Sequence, residues 1–179
     1  HIFVPIFCVL FNIIFDSGYF PEIWSEWYVI PLHKKVNISI VENYSGIPLL
    51  SSLVKLFSSV INTRLKNWAE NYNIYIEAQA GFRTGYSVTD NMFNLQSMVQ
   101  KYITRPRGRF YVLYVDFLKA FDSLVHYNIF TSFKCKGIQG NFLRVLTSMY
   151  SKLKSCIRIS PGTTSTPFSC NIGTRQGDL

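Results

Sequence analysis

Apolar positions recur along the chain with two periods, and they divide it into helical and strand-like stretches. The first stretch, His1–Phe15, is apolar on nearly every side and predicts a core helix. It is shorter than the about 20 apolar residues a membrane-spanning helix needs. It also carries Pro5 and Asn12, and lacks the basic leader and small-residue cleavage site of a secretory signal. Gly18-Tyr-Phe-Pro21 predicts a turn. Trp24–Leu32 then has strand-like composition and runs into His33-Lys34-Lys35. Beyond Pro48, residues Leu49, Leu53, Leu56, Phe57, Val60, Ile61, Leu65 and Trp68 fall on one helical face. A further helix is expected after Gly85. Ser87-Val-Thr-Asp90 has the form of a capping box, and Val88, Met92, Leu95, Val99 and Ile103 make the apolar stripe.

Arg105-Pro-Arg-Gly-Arg109 is a basic turn feeding Phe110-Tyr-Val-Leu-Tyr-Val115. That uninterrupted β-branched and aromatic run predicts a strand buried on both faces. Helices are expected around Ser123–Phe133, stopped by Lys134-Cys-Lys-Gly137, and around Asn141–Tyr150. Within Ser155–Ile172 the pattern predicts two short strands joined at Pro161-Gly162. Helices and strands mix without strict βαβ alternation, so the expected class is α+β. No repeat or linker divides the chain, and 179 residues fit one domain or a large part of one.

Composition changes this picture in two ways. Hydrophobic residues make up 48% of the chain, enough for a packed core and too many for a disordered segment. The net charge of +8 points to phosphate-bearing partners, because each neutralised phosphate releases counterions. Cys8, Cys135, Cys156 and Cys170 are far apart, which excludes a C-x-x-C metal site and favours reduced, mostly buried thiols inside a cell. Cys156 and Cys170 would face each other if their segments form a hairpin. His1, His33 and His126 have no ligand-like spacing, which weakens a metal hydrolase built on Asp116 and Asp122.

Asp116 is the sharpest candidate residue. A carboxylate at the end of a buried strand is a hard oxygen ligand where Mg²⁺ sites are built, and equally it is a strand-end Asp that makes a turn. Asp122 reads better as the N-cap of the following helix than as a ligand. Gly81-Phe-Arg-Thr-Gly85 sets Arg83 in a glycine-flanked turn suited to phosphate contact or to an ordinary loop. Gly173-Thr-Arg-Gln-Gly177 offers Gln176 as both donor and acceptor. Lys34, Lys35 and the Arg105–Arg109 cluster are candidate backbone contacts or solvated charge.

Taken in order, these pieces resemble the reverse transcriptase domain of non-LTR, LINE-like retrotransposons. The matching segments are Phe20-Pro-Glu-Ile-Trp24, Val29-Ile-Pro-Leu-His-Lys-Lys35, Asn43-Tyr-Ser-Gly-Ile-Pro-Leu49, Gln79–Ser87 with Thr89-Asp90, Tyr114–Asp122 and Gly173–Gly177. The resemblance implies largely helical fingers over about 1–109 and, over about 110–179, an incomplete palm with an antiparallel sheet. It makes Asp116 the catalytic ligand of two Mg²⁺ ions, and Phe121 the steric gate beneath the incoming sugar. The backbone around Phe117–Ala120 would meet the triphosphate. Lys34 or Lys35 and Arg83 would neutralise it, and Gln176 and Gly177 would line the nucleotide pocket. The implied partners are an RNA template, a DNA primer and deoxynucleoside triphosphates, in the nucleus or cytoplasm and away from any membrane. The resemblance leaves the oligomeric state open.

Departures from the family accompany the match. Asn-Tyr-Arg-Pro-Ile-Ser reads Asn43-Tyr-Ser-Gly-Ile-Pro48, and Val36-Asn-Ile-Ser-Ile40 lacks the expected polar, glycine-containing character. The aromatic-x-Asp-Asp motif does not occur in these residues; in the family it lies beyond Gly-x-x-Gln-Gly. Both ends look cut from a longer protein. One carboxylate cannot hold two cations, so the expectation is a polymerase fragment inactive by itself. The alternative is a non-catalytic nucleic-acid-binding remnant of a decayed or domesticated element.

Overall fold

The computed structural model describes residues 2–34 and 37–174. The described chain forms two compact units, one of residues 1–61 with 119–179 and one of residues 62–118. Both helices and strands are present, and the class is α+β.

The first unit is built on helices α1 (Phe3–Ser17), the start of α2 (Ser52–Asn71), α4 (His126–Cys135) and α5 (Gly140–Ser151). Its core joins Ile14 and Phe20 to Val54, Phe57 and Ile61 of α2 and to Val145, Leu146 and Met149 of α5. The rings of Phe11, Phe20 and Trp24 meet Phe57 with centroids 5.2 to 6.0 Å apart. Burial of a side chain such as Phe57, which is 1% exposed, stabilises by about 1.5–3 kcal/mol. Helix α1 differs from the expected core helix. Ile14 is its buried residue and Leu10, Phe11 and Phe15 are partly covered, while Phe3, Val4, Ile6, Val9 and Ile13 face outward. One stripe packs on the other helices, and nothing among the described residues covers the opposite face. On α2 the buried face is centred on Val54, Phe57 and Ile61 and leaves Leu56 exposed. No described helix is long and apolar enough to cross a membrane.

The sheet of this unit has the order β2 (Tyr44–Leu49), β1 (Glu26–His33), β3 (Lys154–Ser160), β4 (Thr163–Thr164), with β5 (Phe168–Ser169) also on β3. Strands β1 and β2 pair antiparallel from Tyr28↔Leu49 to His33↔Tyr44. Strands β1 and β3 run parallel, Glu26↔Lys154 to Val29↔Ile157. The sheet is therefore mixed, which corrects the antiparallel expectation. A long helical connection separates β1 from β3, and such a crossover permits the parallel pairing that a hairpin forbids. Pro48 is tolerated because β2 lies at the sheet edge, where a missing N–H costs no ladder bond. The hairpin at Pro161-Gly162 forms as expected between β3 and β4. Its neighbours do not bring the cysteines face to face: Cys156 stands opposite Tyr28, and the Cys170 N–H bonds to the Leu153 carbonyl.

Helix α4 begins at His126 with Val125 at its N-cap, so Asp122 is not the cap that the sequence pattern suggested. The backbone accounts for the shift. Leu124 and Val125 are already engaged by residues 172 and 173 and cannot enter the first helical turn. Helix α5 forms where its pattern placed it.

The second unit contains the end of α2, a long loop, α3 (Val88–Ile103) and the run to Leu118. The capping box of α3 is complete: Ser87 Oγ accepts from Thr89 N–H at 3.1 Å and Asp90 Oδ2 accepts from Ser87 N–H at 3.0 Å. The apolar stripe of α3 is nevertheless only partly covered: Leu95 and Val99 are half-buried, Val88, Met92 and Ile103 are exposed, and none is buried among the described residues. The expected strand Phe110–Val115 is also corrected. The segment joins no sheet among the described residues, and Leu113 is 87% exposed. An apolar run specifies a burial preference, whereas a strand also needs a neighbour to receive its backbone bonds.

Candidate functional site

Two of the motifs meet in the first unit, where the turn residues Lys119–Ser123 approach the loop Ile172–Thr174. Val125 and Ile172 form an antiparallel bridge. Gly173 N–H donates to the Leu124 carbonyl at 2.7 Å, and Thr174 N–H donates to the Phe121 carbonyl at 3.0 Å. The Gly173 carbonyl in turn lies 2.7 Å from His126 Nε2. A carbonyl only accepts, so that ring nitrogen carries the proton. The His126 ring also packs edge-on against Tyr150, centroids 4.9 Å apart. Gly173 has φ +83°, and a Cβ there would stand 3.0 Å from the Asp122 carbonyl oxygen. Only glycine meets both demands.

Beside this contact is an open cavity of about 370 Å³ whose polar lining comes from three distant stretches of sequence. Glu42, Tyr44 and Ser45 come from the segment entering β2, Lys119 and Asp122 from the turn, and Thr174 from the loop. The cavity thus offers one ammonium, two carboxylates and several hydroxyls. Lys119 holds φ +51°, a left-handed conformation uncommon for a residue with a Cβ.

The expected site residues are distributed over both units. Lys34 is exposed at the end of β1, its N–H bonded to the Asn43 carbonyl at 2.8 Å. Ala120 and Phe121 lie in the turn, with the Phe121 ring half exposed. Asp116 and Phe117 are exposed residues of the second unit, following the run Phe110–Val115. Lys35, Gln176 and Gly177 lie outside the described residues.

Arg83 has the most constrained geometry of the set. Its Nε and Nη2 donate to the two carboxylate oxygens of Glu70 at 3.0 and 2.8 Å, and Nη1 donates to the Ile76 carbonyl at 3.2 Å. The guanidinium also lies 3.9 Å from the Tyr86 ring centre and 5.2 Å from that of Tyr75. Only 9% of its side chain is exposed. The hydrogen bonds from Arg83 hold the Glu70 carboxyl below the usual carboxylate range, and Glu70 raises Arg83 further above its own. Glu70 and His126 are contributors that the sequence reading missed. Neither stands in a recognisable motif position, and each meets its partner only through the fold.

Among the described residues, no three His, Cys, Asp or Glu side chains group as a metal site. Asp116 supplies a single hard oxygen ligand, and the described residues do not by themselves fit a pair of Mg²⁺ ions.

No protein-family model matches the chain. Curated relatives do, over most of its length. The probable RNA-directed DNA polymerase from transposon BS of Drosophila melanogaster is 27% identical over 174 residues, covering 96% of this chain and 19% of that protein. The chain resembles the reverse transcriptase region of non-LTR retrotransposons. The Pol polyprotein from the type-1 retrotransposable element R2 of Popillia japonica is 23% identical, covering 90% of the chain and 22% of the relative. The RNA-directed DNA polymerase from the mobile element jockey of D. melanogaster is 29% identical, over 66% of the chain and 13% of the relative. The chain thus spans about a fifth of the length of the first of these relatives.

Proposed function

We propose that the chain is part of an RNA-directed DNA polymerase encoded by a non-LTR retrotransposon, with fingers over about 1–109 and part of the palm over about 110–179. The observation that carries this reading is the bond from Thr174 N–H to the Phe121 carbonyl. Two motifs far apart in sequence, each of modest weight alone, meet there beside a polar cavity.

In this reading the Phe121 ring is the gate beneath the incoming sugar. A bulky ring excludes a 2′-hydroxyl by contact and so favours deoxynucleotides. Backbone groups around Phe117 and Ala120 receive the triphosphate, with Lys34, Lys35 and Arg83 neutralising its charge. Gln176 and Gly177 continue from Thr174 along the sugar and templating base. Arg83 must exchange Glu70 for phosphate oxygens to take that role. Asp116 is the catalytic carboxylate of this stretch and one oxygen ligand for Mg²⁺. A two-ion site needs carboxylates beyond it. RNA template, DNA primer and deoxynucleoside triphosphates are the partners, within the cell.

Primer extension on poly(rA)/oligo(dT) tests the reading. A longer reading frame that carries this chain together with an aromatic-x-Asp-Asp segment should incorporate dTTP, and Asp116→Ala should abolish incorporation. Residues 1–179 alone should give none. Activity that survives Asp116→Ala, or a longer protein that binds nucleic acid without extending a primer, would favour the non-catalytic remnant.

A further inference from the structure

Gly173 is fixed by both of its backbone polar groups. Its N–H is taken by the Leu124 carbonyl at 2.7 Å and its carbonyl by His126 Nε2 at the same distance. The next residue, Thr174, bonds to the carbonyl of Phe121. The Phe121 backbone and the Gly173-Thr174 loop therefore form one hydrogen-bonded assembly, in which His126 donates from its side chain. The imidazole is itself steadied by Tyr150 of α5, so its position is referred to the helical core and not to solvent. A donor anchored in this way fixes a loop more tightly than backbone bonds between two turns, which can slide together.

We propose that His126 is a positioning residue for sugar selection: by holding the Gly173 carbonyl, it sets how closely the Gly173-Thr174 loop stands to Phe121. This rests on the polymerase reading, because it assumes that Phe121 meets a sugar. His126 touches no reacting atom. It acts through the loop, and the chemistry asked of it is donation from Nε2, which the neutral Nε2–H tautomer and the imidazolium both supply.

Two substitutions separate this role from simple packing. His126→Phe keeps a ring against Tyr150 and removes the donor. His126→Gln removes the ring and keeps a terminal N–H near the same reach. Each is placed in the primer-extending protein, and incorporation of dTTP is compared with UTP, alongside amide hydrogen exchange at Gly173 and Thr174. In the Phe variant the preference for the deoxynucleotide should fall about tenfold and the Thr174 amide should exchange about tenfold faster, on the scale of one part-buried hydrogen bond. The Gln variant should stay within about threefold of the parent on both measures. A Phe variant with unchanged discrimination and unchanged exchange overturns the proposal, as does a Gln variant damaged more than the Phe variant, since ring packing would then be the role. Absence of extension in the parent protein would sink the polymerase reading, and the exchange data would still decide whether His126 holds the loop.

Discussion

The turn Leu118–Ser123 and the run Phe110–Phe117 are adjacent in sequence and both largely exposed, and they differ in how their backbones are paired. The turn's neighbouring carbonyls are claimed by Gly173 and Thr174. The run joins no sheet among the described residues, and its apolar side chains after Phe110 are exposed. The turn mixes apolar and polar residues; the run is the most strand-like stretch of the chain. Propensity therefore favoured the segment that is unpaired among the described residues. Backbone pairing is a property of two segments, and a strong preference in one of them supplies only half of it.

The widest test of that contrast sets a core residue against a run residue. Phe57→Ala should cost about 3–5 kcal/mol in urea denaturation, whereas Leu113→Ala should stay within about 0.5 kcal/mol. A Leu113→Ala cost above about 1 kcal/mol would mean that the run is covered in solution and would erase the contrast.

A second pair isolates backbone strain from crowding. Gly173 and Gly85 have nearly equal φ, +83° and +81°, but a Cβ at Gly85 meets nothing within 4 Å, while one at Gly173 meets the Asp122 backbone. Gly85→Ala should cost about 1 kcal/mol from conformation alone, and Gly173→Ala about 2–3 kcal/mol because the loop must also shift. Equal thermal shifts for the two variants would show that the loop is not closely held.

The smallest expected effect concerns the Arg83–Glu70 ion pair of the second unit. Glu70 is depressed by Arg83, so its stabilising contribution is fully present above the ordinary carboxylate range and is lost as pH falls through the lowered folded value. The stability gap between the parent and Glu70→Gln should therefore be widest near neutral pH and close under acid. Urea midpoints that run parallel across that range would show that the pair contributes nothing in solution, as many exposed pairs do.

Features that depend on neighbours in sequence were readable without the fold. The Ser87–Asp90 capping box needs only residues three apart, and both of its bonds form. The long amphipathic helix of Leu53–Trp68 and the Pro161-Gly162 hairpin belong to the same class. Features that need a distant partner were not readable. The parallel pairing of β1 with β3, the Glu70 carboxylate under Arg83 and the His126 bond to Gly173 each join segments whose meeting no local pattern encodes. Asp122 failed as a helix cap for the same reason: the loop at Ile172–Thr174 claimed the backbone beside it.

For the candidate site the division is similar. The identity of the motif residues, their order and the relationship to transposon polymerases were determined by sequence alone, because side-chain chemistry and spacing are carried in the chain itself. Only the tertiary structure decided that Thr174 meets Phe121, that Glu42, Lys119 and Asp122 share a cavity, and that the guanidinium of Arg83 is already committed. Those outcomes turn on which backbone and side-chain groups are left unsatisfied after each element has formed, and that competition is settled only when the whole chain is packed.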